Sequence, residues 1–257
     1  MKTKGDGIIK KAFKRISIIT LIVTLCITSG LYINNNITLG EPINEIKTQE
    51  IKKGELVDIK KPDVYLKLLK SGNERFQKDQ LKEVNLSSTK REELAKGQHP
   101  FAVIITCSDS RVPPEFIFNQ GLGDLFVVRV AGNVIDKIEL GSVEYAVEHL
   151  KASLIVVMGH EHCGAVEAAV EEYGVKQHGN IGAILDKIEP SVKKVKSNNL
   201  NLQGEKLVEE VTNENINNSS EKLKQSKIIS QELQKGNIKI VEAKYMLNSG
   251  KVQWFNK

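Results

Sequence analysis

Three short apolar runs constrain this chain more than anything else in it: residues 101–106 (FAVIIT), 125–130 (LFVVRV) and 154–158 (LIVVM). Each has the length of a strand, and each is apolar on both alternating faces. A strand of that kind must be covered on both sides, which is the situation of a buried parallel sheet. Helical patterns lie between the runs. Pro113 and Pro114 can open a helix over 115–118, and Val143, Ala146, Val147 and Leu150 stripe another. Strand alternating with helix predicts an α/β fold, a central mainly parallel β-sheet flanked by helices and joined by right-handed crossovers. Upstream, Val64, Leu68, Leu69 and Phe76 mark a helix over 62–78, and Thr89 with Glu92 forms a capping-box pattern for a helix ending at Gly97. Downstream, a helix from Cys163 through Tyr173 is followed by Lys- and Asn-rich helices to about Lys235. A fourth strand is expected over 238–243, and 245–247, the Asn248-Ser249-Gly250 turn and 252–255 read as a C-terminal β-hairpin. No internal repeat is present.

The formal net charge of +5 looks like an invitation to nucleic acid until it is located. Lys2, Lys4, Lys10, Lys11, Lys14 and Arg15, opposed by Asp6 alone, account for the whole excess. The remainder of the chain is electrically balanced, which argues against a nucleic-acid partner. After the basic stretch comes a charge-free apolar segment, residues 16–33. As a helix it would span roughly 27 Å, at the short limit for a bilayer. Residues 1–33 therefore read as a signal peptide or a transmembrane anchor. Thr28 and Gly30 are small enough to allow cleavage after Gly30, while the positive flank suits retention. In both cases the basic end stays inside and the rest is expected outside the cytoplasmic membrane. Residues 34–61, Asn-rich and then alternating Lys with Glu, read as a flexible polar linker, so the catalytic domain is expected to occupy 62–257.

Of three cysteines, Cys26 lies in the apolar N-terminal segment, leaving Cys107 and Cys163. Two are too few for a disulfide framework; they could form one bridge, sit inertly in the core, or bind a metal. Their surroundings favour the last. Cys107-Ser108-Asp109-Ser110-Arg111 follows the first strand and His160-Glu161-His162-Cys163-Gly164 the third. In an open parallel sheet the carboxyl ends of strands form the ligand crevice, so these distant segments can converge. Cys107, His160 and Cys163 then offer two thiolates and an imidazole, a set that suits tetrahedral zinc and leaves a fourth position for water, whose pKa the metal lowers to about 7. Asp109 could occupy that fourth position, or pair with Arg111 and leave it open. His162 is an alternative ligand, but the separation of His160 from Cys163 gives both side chains more room to meet one metal. His99, His149 and His178 carry no clear signal.

The CSDSR and HxxC motifs, with Gln98-x-Pro100 before the first and the 126–133 segment FVVR-x-AGN between them, resemble the β-class carbonic anhydrases. The likeness runs from about Pro62 to the C-terminus and includes Glu144-Tyr145-Ala146 and the closing Gly250-Lys251-Val252 turn. It implies one zinc per subunit on Cys107, His160 and Cys163, with Asp109 and Arg111 as a catalytic dyad. It further implies that Gln98 and the Gly164 amide bind substrate and that Phe126 and Tyr145 wall the pocket at a dimer interface. The implied reaction is reversible hydration of carbon dioxide to bicarbonate by zinc-bound hydroxide, in a homodimer or higher even oligomer. Hydrolysis of carbon disulfide or carbonyl sulfide on the same fold, or non-catalytic bicarbonate binding, are the competing functions. Ala131 is smaller than the valine that some members place beside the pocket.

Overall fold

The computed structural model describes residues 61–175 and 179–255. The signal or anchor expected over 1–33, the linker expected over 34–61 except Lys61, which is the first residue of a helix, and Cys26 and His178 lie outside the described residues. Among the described residues no helix is long and apolar enough to cross a membrane.

Five strands form one sheet: β1 (Ala102–Thr106), β2 (Leu125–Arg129), β3 (Leu154–His160), β4 (Lys239–Tyr245) and β5 (Val252–Trp254). Their spatial order is β2-β1-β3-β4-β5, with the first four parallel and β5 antiparallel to β4. Around them lie α1 (Lys61–Gln77), α2 (Ser88–Leu94), α3 (Pro114–Ile117), α4 (Lys137–Glu148), α5 (Gly164–Glu171), α6 (Gly179–Asn198), α7 (Gly204–Lys224) and α8 (Lys227–Gln234). Alternate residues divide between two cores, as strands covered on both faces require. Ala102, Ile104, Leu154, Val156 and Met158 pack with Leu69, Ile117, Val166 and Ile188 on one side. Val103, Ile105, Ile155 and Val157 pack with Val143, Ala146, Val147 and Ile229 on the other. The long helix α7 serves both, Val211 in the first core and Ile216 in the second.

Several boundaries differ from the sequence expectation for local reasons. The cap of α2 is Ser87, whose side chain accepts from the Lys90 amide, so the helix opens before Thr89 and closes at Leu94 rather than Gly97. A complete capping box does occur, at Asp136 and Glu139 in front of α4, where it lay unremarked in the sequence. Strand β3 runs on through Gly159 to His160 because β4 continues beside it to Tyr245. A C-terminal antiparallel pair forms, but its first arm is the end of β4 rather than a separate segment over 245–247, with Ala243 opposite Trp254 and Tyr245 opposite Val252. Its turn requires Gly250 at φ 70°, where an added Cβ would also meet the Phe76 ring at 2.9 Å. Buried Asn73 of α1 holds that turn by donating to Gly250 O and Ile117 O and accepting from the Val252 amide.

Candidate metal centre

Because β1 and β3 are parallel neighbours with Thr106 beside Met158, the chain leaving β1 at Cys107 emerges next to the last residues of β3. His160 is the final residue of that strand, and Cys163, the N-cap of α5, follows directly after the two-residue turn Glu161-His162. Cys107, His160 and Cys163 therefore meet although no two of them are neighbours in sequence. Their donor atoms all lie within 4.8 Å of one another, and the residues are 5, 0 and 1 % exposed.

The arrangement suits a tetrahedral zinc ion on three counts. The two Sγ atoms are 3.9 Å apart, too far for a disulfide and close to the roughly 3.8 Å that two thiolates take at about 2.3 Å from a shared tetrahedral zinc. His160 Nδ1 lies 2.7 Å from Glu161 O, a contact that places the ring proton on Nδ1 and leaves the Nε2 lone pair free. That Nε2 is buried without a hydrogen-bond partner, a costly arrangement unless it serves as a ligand atom. The thiols add an electrostatic argument. A hydrogen bond from Cys163 brings Cys107 down to about 4 against the opposing effect of burial, with the His160 side chain and the Asp109 and Gly132 amides assisting. The same bond, together with burial, pushes the Cys163 thiol up. Two bare thiolates this close repel, so the pair retains one proton, and a divalent cation supplies the charge that lets both ionise.

Asp109 sits at the mouth of the cluster with Oδ2 3.9 Å from His160 Nε2. It is turned toward Arg111: Oδ1 accepts from Arg111 Nε at 2.9 Å and Oδ2 from Nη2 at 2.7 Å. The Arg111 backbone amide adds a third bond to Oδ1. These contacts, led by the side-chain bond from Arg111, hold the Asp109 carboxyl well below the usual carboxylate range. Of the two arrangements open to Asp109, the paired one is present. Arg111 Nη2 also donates to His162 O across the site, while the His162 ring is exposed and faces Glu167 and Glu205.

Arg129 is a residue the sequence reading passed over. At the end of β2 its guanidinium donates to the carbonyls of Cys107 and Asp109 and clamps the loop that carries both. A lone cation closing the apolar run LFVVRV was the available signal. Gly164 opens α5, where first-turn amides lack helical partners, and the space above its Cα is open. Gln98, Phe126 and Tyr145 are elsewhere. Gln98 precedes β1, at the end of the strand opposite Cys107, and Phe126 lies beside Val103, about 10 Å back along the sheet from Thr106. The Phe126 and Tyr145 ring centroids are 6.4 Å apart, and Tyr145 is 48 % exposed.

Fold and site together define a class: an α/β protein with a Cys-His-Cys centre at the carboxyl ends of two adjacent parallel strands. Residues 102–252 match the carbonic anhydrase family model. The chain is 42% identical over 188 residues to carbonic anhydrase 2 of Mycobacterium tuberculosis, covering 72% of this chain and 88% of that one. It is 40% identical over 194 residues to a carbonic anhydrase of Mycolicibacterium smegmatis, covering 73% and 90%. Its fold is similar to the solved structure of the β-carbonic anhydrase CcaA, with a TM-score of 0.62 and 30% identity over 75% of this chain and 95% of that one. The chain belongs to the β-carbonic anhydrase family.

Proposed function

We propose that the protein interconverts carbon dioxide and bicarbonate at a zinc ion held by Cys107, His160 and Cys163, one per subunit. The observation that carries this reading is the bidentate capture of Asp109 by Arg111 beside a three-donor set. Three protein ligands with the nearby carboxylate occupied elsewhere leave a position for a reacting water, whereas a structural zinc site is closed by four. Zinc at this site supplies the Lewis acidity that makes water a nucleophile near neutral pH.

The chain's own residues do the rest. Asp109, kept ionised and aimed by Arg111, accepts a hydrogen bond from the reacting water at Oδ2 and fixes its direction of attack. The Gly164 amide, at the positive end of α5, donates to an oxygen of the substrate. Burial of the ligands keeps bulk water from their sulfur and imidazole atoms.

Gln98, Phe126 and Tyr145 contribute through a second copy of the chain in this reading. Along one chain they stand toward the opposite end of the sheet from the ligands, and the outer edge of β2 pairs with no strand among the described residues. A homodimer packed along β2 and α4 would place one copy's Gln98 and aromatic pair against the other's metal centre. Residues 1–33 are proposed to export or anchor the protein, with the catalytic domain outside the membrane; protease accessibility on intact cells tests that placement.

The enzymatic reading is tested by zinc content and stopped-flow hydration of carbon dioxide. Cys163→Ala should lose stoichiometric zinc and activity together, and a variant that keeps its full zinc complement would show the ligand set to be wrong.

A further inference from the structure

The segment 131–133 (Ala-Gly-Asn) passes directly behind the metal centre, and the Gly132 amide donates to Cys107 Sγ at 3.3 Å. A hydrogen bond to a ligand sulfur draws electron density from it and so tunes the metal-thiolate bond. The bond depends on the orientation of a glycine in the left-handed region, φ 68° and ψ 15°, which has no side chain to hold it. A larger residue is no solution, since a Cβ there would meet Ile188 Cδ1 at 2.8 Å. Something else must fix this peptide.

We infer that Asn215 of α7 is a positioning residue for the metal centre: its Nδ2 donates to Gly132 O at 2.7 Å and thereby holds the Gly132 amide on Cys107 Sγ. The assignment rests on the zinc reading of the cluster. Gly132 is gripped on both sides, its carbonyl by Asn215 and its amide by the sulfur, so neither torsion of the glycine can relax alone. Asn215 is 1 % exposed, and its Oδ1 is buried without a partner. Burying an amide with half of its hydrogen-bonding capacity unmet is a poor exchange for stability alone, because an apolar side chain of similar size would pack without that penalty. One turn further on, Ser219 donates to Asn133 O at 2.9 Å. That contact secures the same segment through a carbonyl not linked to the sulfur, which makes it the natural control.

The test uses the full chain loaded with zinc, and separately with cobalt(II), whose thiolate charge-transfer band reports the electron density on sulfur. Asn215→Ala should move that band to longer wavelength and speed zinc release to a chelator by about 10- to 100-fold, the usual consequence of losing an outer-shell partner of a ligand. Ser219→Ala should leave the band in place even if it lowers thermal stability. If Asn215→Ala does not fold, Asn215→Leu, which removes the amide donor and keeps a branched side chain in the space, is read in the same way. An unmoved band and an unchanged release rate in the folded variant would overturn the inference and leave Asn215 a packing residue. Failure of the unsubstituted chain to bind cobalt or zinc stoichiometrically would instead overturn the zinc reading itself.

Discussion

Gly159 immediately precedes the ligand His160, and its lack of a side chain sets how closely α7 lies on β3. A Cβ built there would stand 2.8 Å from both Cγ1 and Cδ1 of Ile216 and 3.4 Å from Asn133 Oδ1. Ile216 is fully buried, so it has little space into which to retreat. Gly159→Ala should therefore overpack this contact and cost about 1–3 kcal/mol. Ile216→Ala should cost about 2–5 kcal/mol by opening a cavity at the same place. The two defects are complementary, because the added methyl enters the volume the isoleucine vacates. The double variant should thus be more stable than the sum of the singles predicts by at least about 1 kcal/mol. Denaturant unfolding of all four proteins, at fixed zinc and protein concentration, measures the coupling. Additivity within about 0.5 kcal/mol would refute the claim that this glycine is kept by the Ile216 contact.

Asn73→Ala removes a side chain that satisfies two carbonyls and one amide at once, and should cost about 2–4 kcal/mol in urea unfolding. A loss well under 1 kcal/mol would mean that water replaces all three contacts. Arg111→Ala should leave zinc bound but lower the hydration rate at neutral pH, because Asp109 is no longer turned away from the cluster. The same variant has a pH signature. The depressed carboxyl of Asp109 contributes stability above its unfolded value, near 3.9, and that contribution is lost as pH falls below it, so stability of the variant should decline less steeply than that of the parent in acid. Parallel acid-unfolding curves would argue against the pairing. Arg129→Met keeps most of the side-chain volume but releases the Cys107 and Asp109 carbonyls, and chelator competition should show faster zinc loss; an unchanged rate would reduce Arg129 to a surface cation.

Strands β1 and β3 were legible because full burial leaves a plain mark, apolar residues on both alternating faces, whereas β2 carries the same apolar pattern at the sheet edge, where it is only half-buried in one chain. Their ends were less so. The apolar run of β3 stops at Met158, yet the strand continues to His160 because hydrogen bonding to β4 continues, and composition does not record the neighbour. The three ligands could be read from residue type and spacing at strand ends. Asn215 could not, since in sequence it is one of several asparagines in a polar helix. Its meaning arises when α7 crosses the turn at Gly132, a contact 83 residues away in sequence. Gln98, Phe126 and Tyr145 were named from a resemblance, and the geometry of one chain alone gives them no route to the metal.

The three donors are held by devices of unequal stiffness, and this asymmetry explains the distribution of supporting contacts. His160 ends β3, where the strand pairs with β4 alone, and the contact with Tyr245 together with the Glu161 amide bond to Tyr245 O sets its backbone. Cys163 caps α5, and the first turn of that helix bonds back to its carbonyl through Val166 and Glu167. Cys107 has neither support, because it stands one residue past β1 at the start of a loop. It is here that the auxiliary bonds collect: Arg129 on its carbonyl, the Gly132 amide on its sulfur, and Asn215 behind Gly132. A tetrahedral site tolerates little displacement of any ligand, so the least constrained one governs how tightly the ion is kept. Substitutions that weaken the Cys107 loop should therefore change metal retention before global stability, and substitutions under β3 should do the reverse.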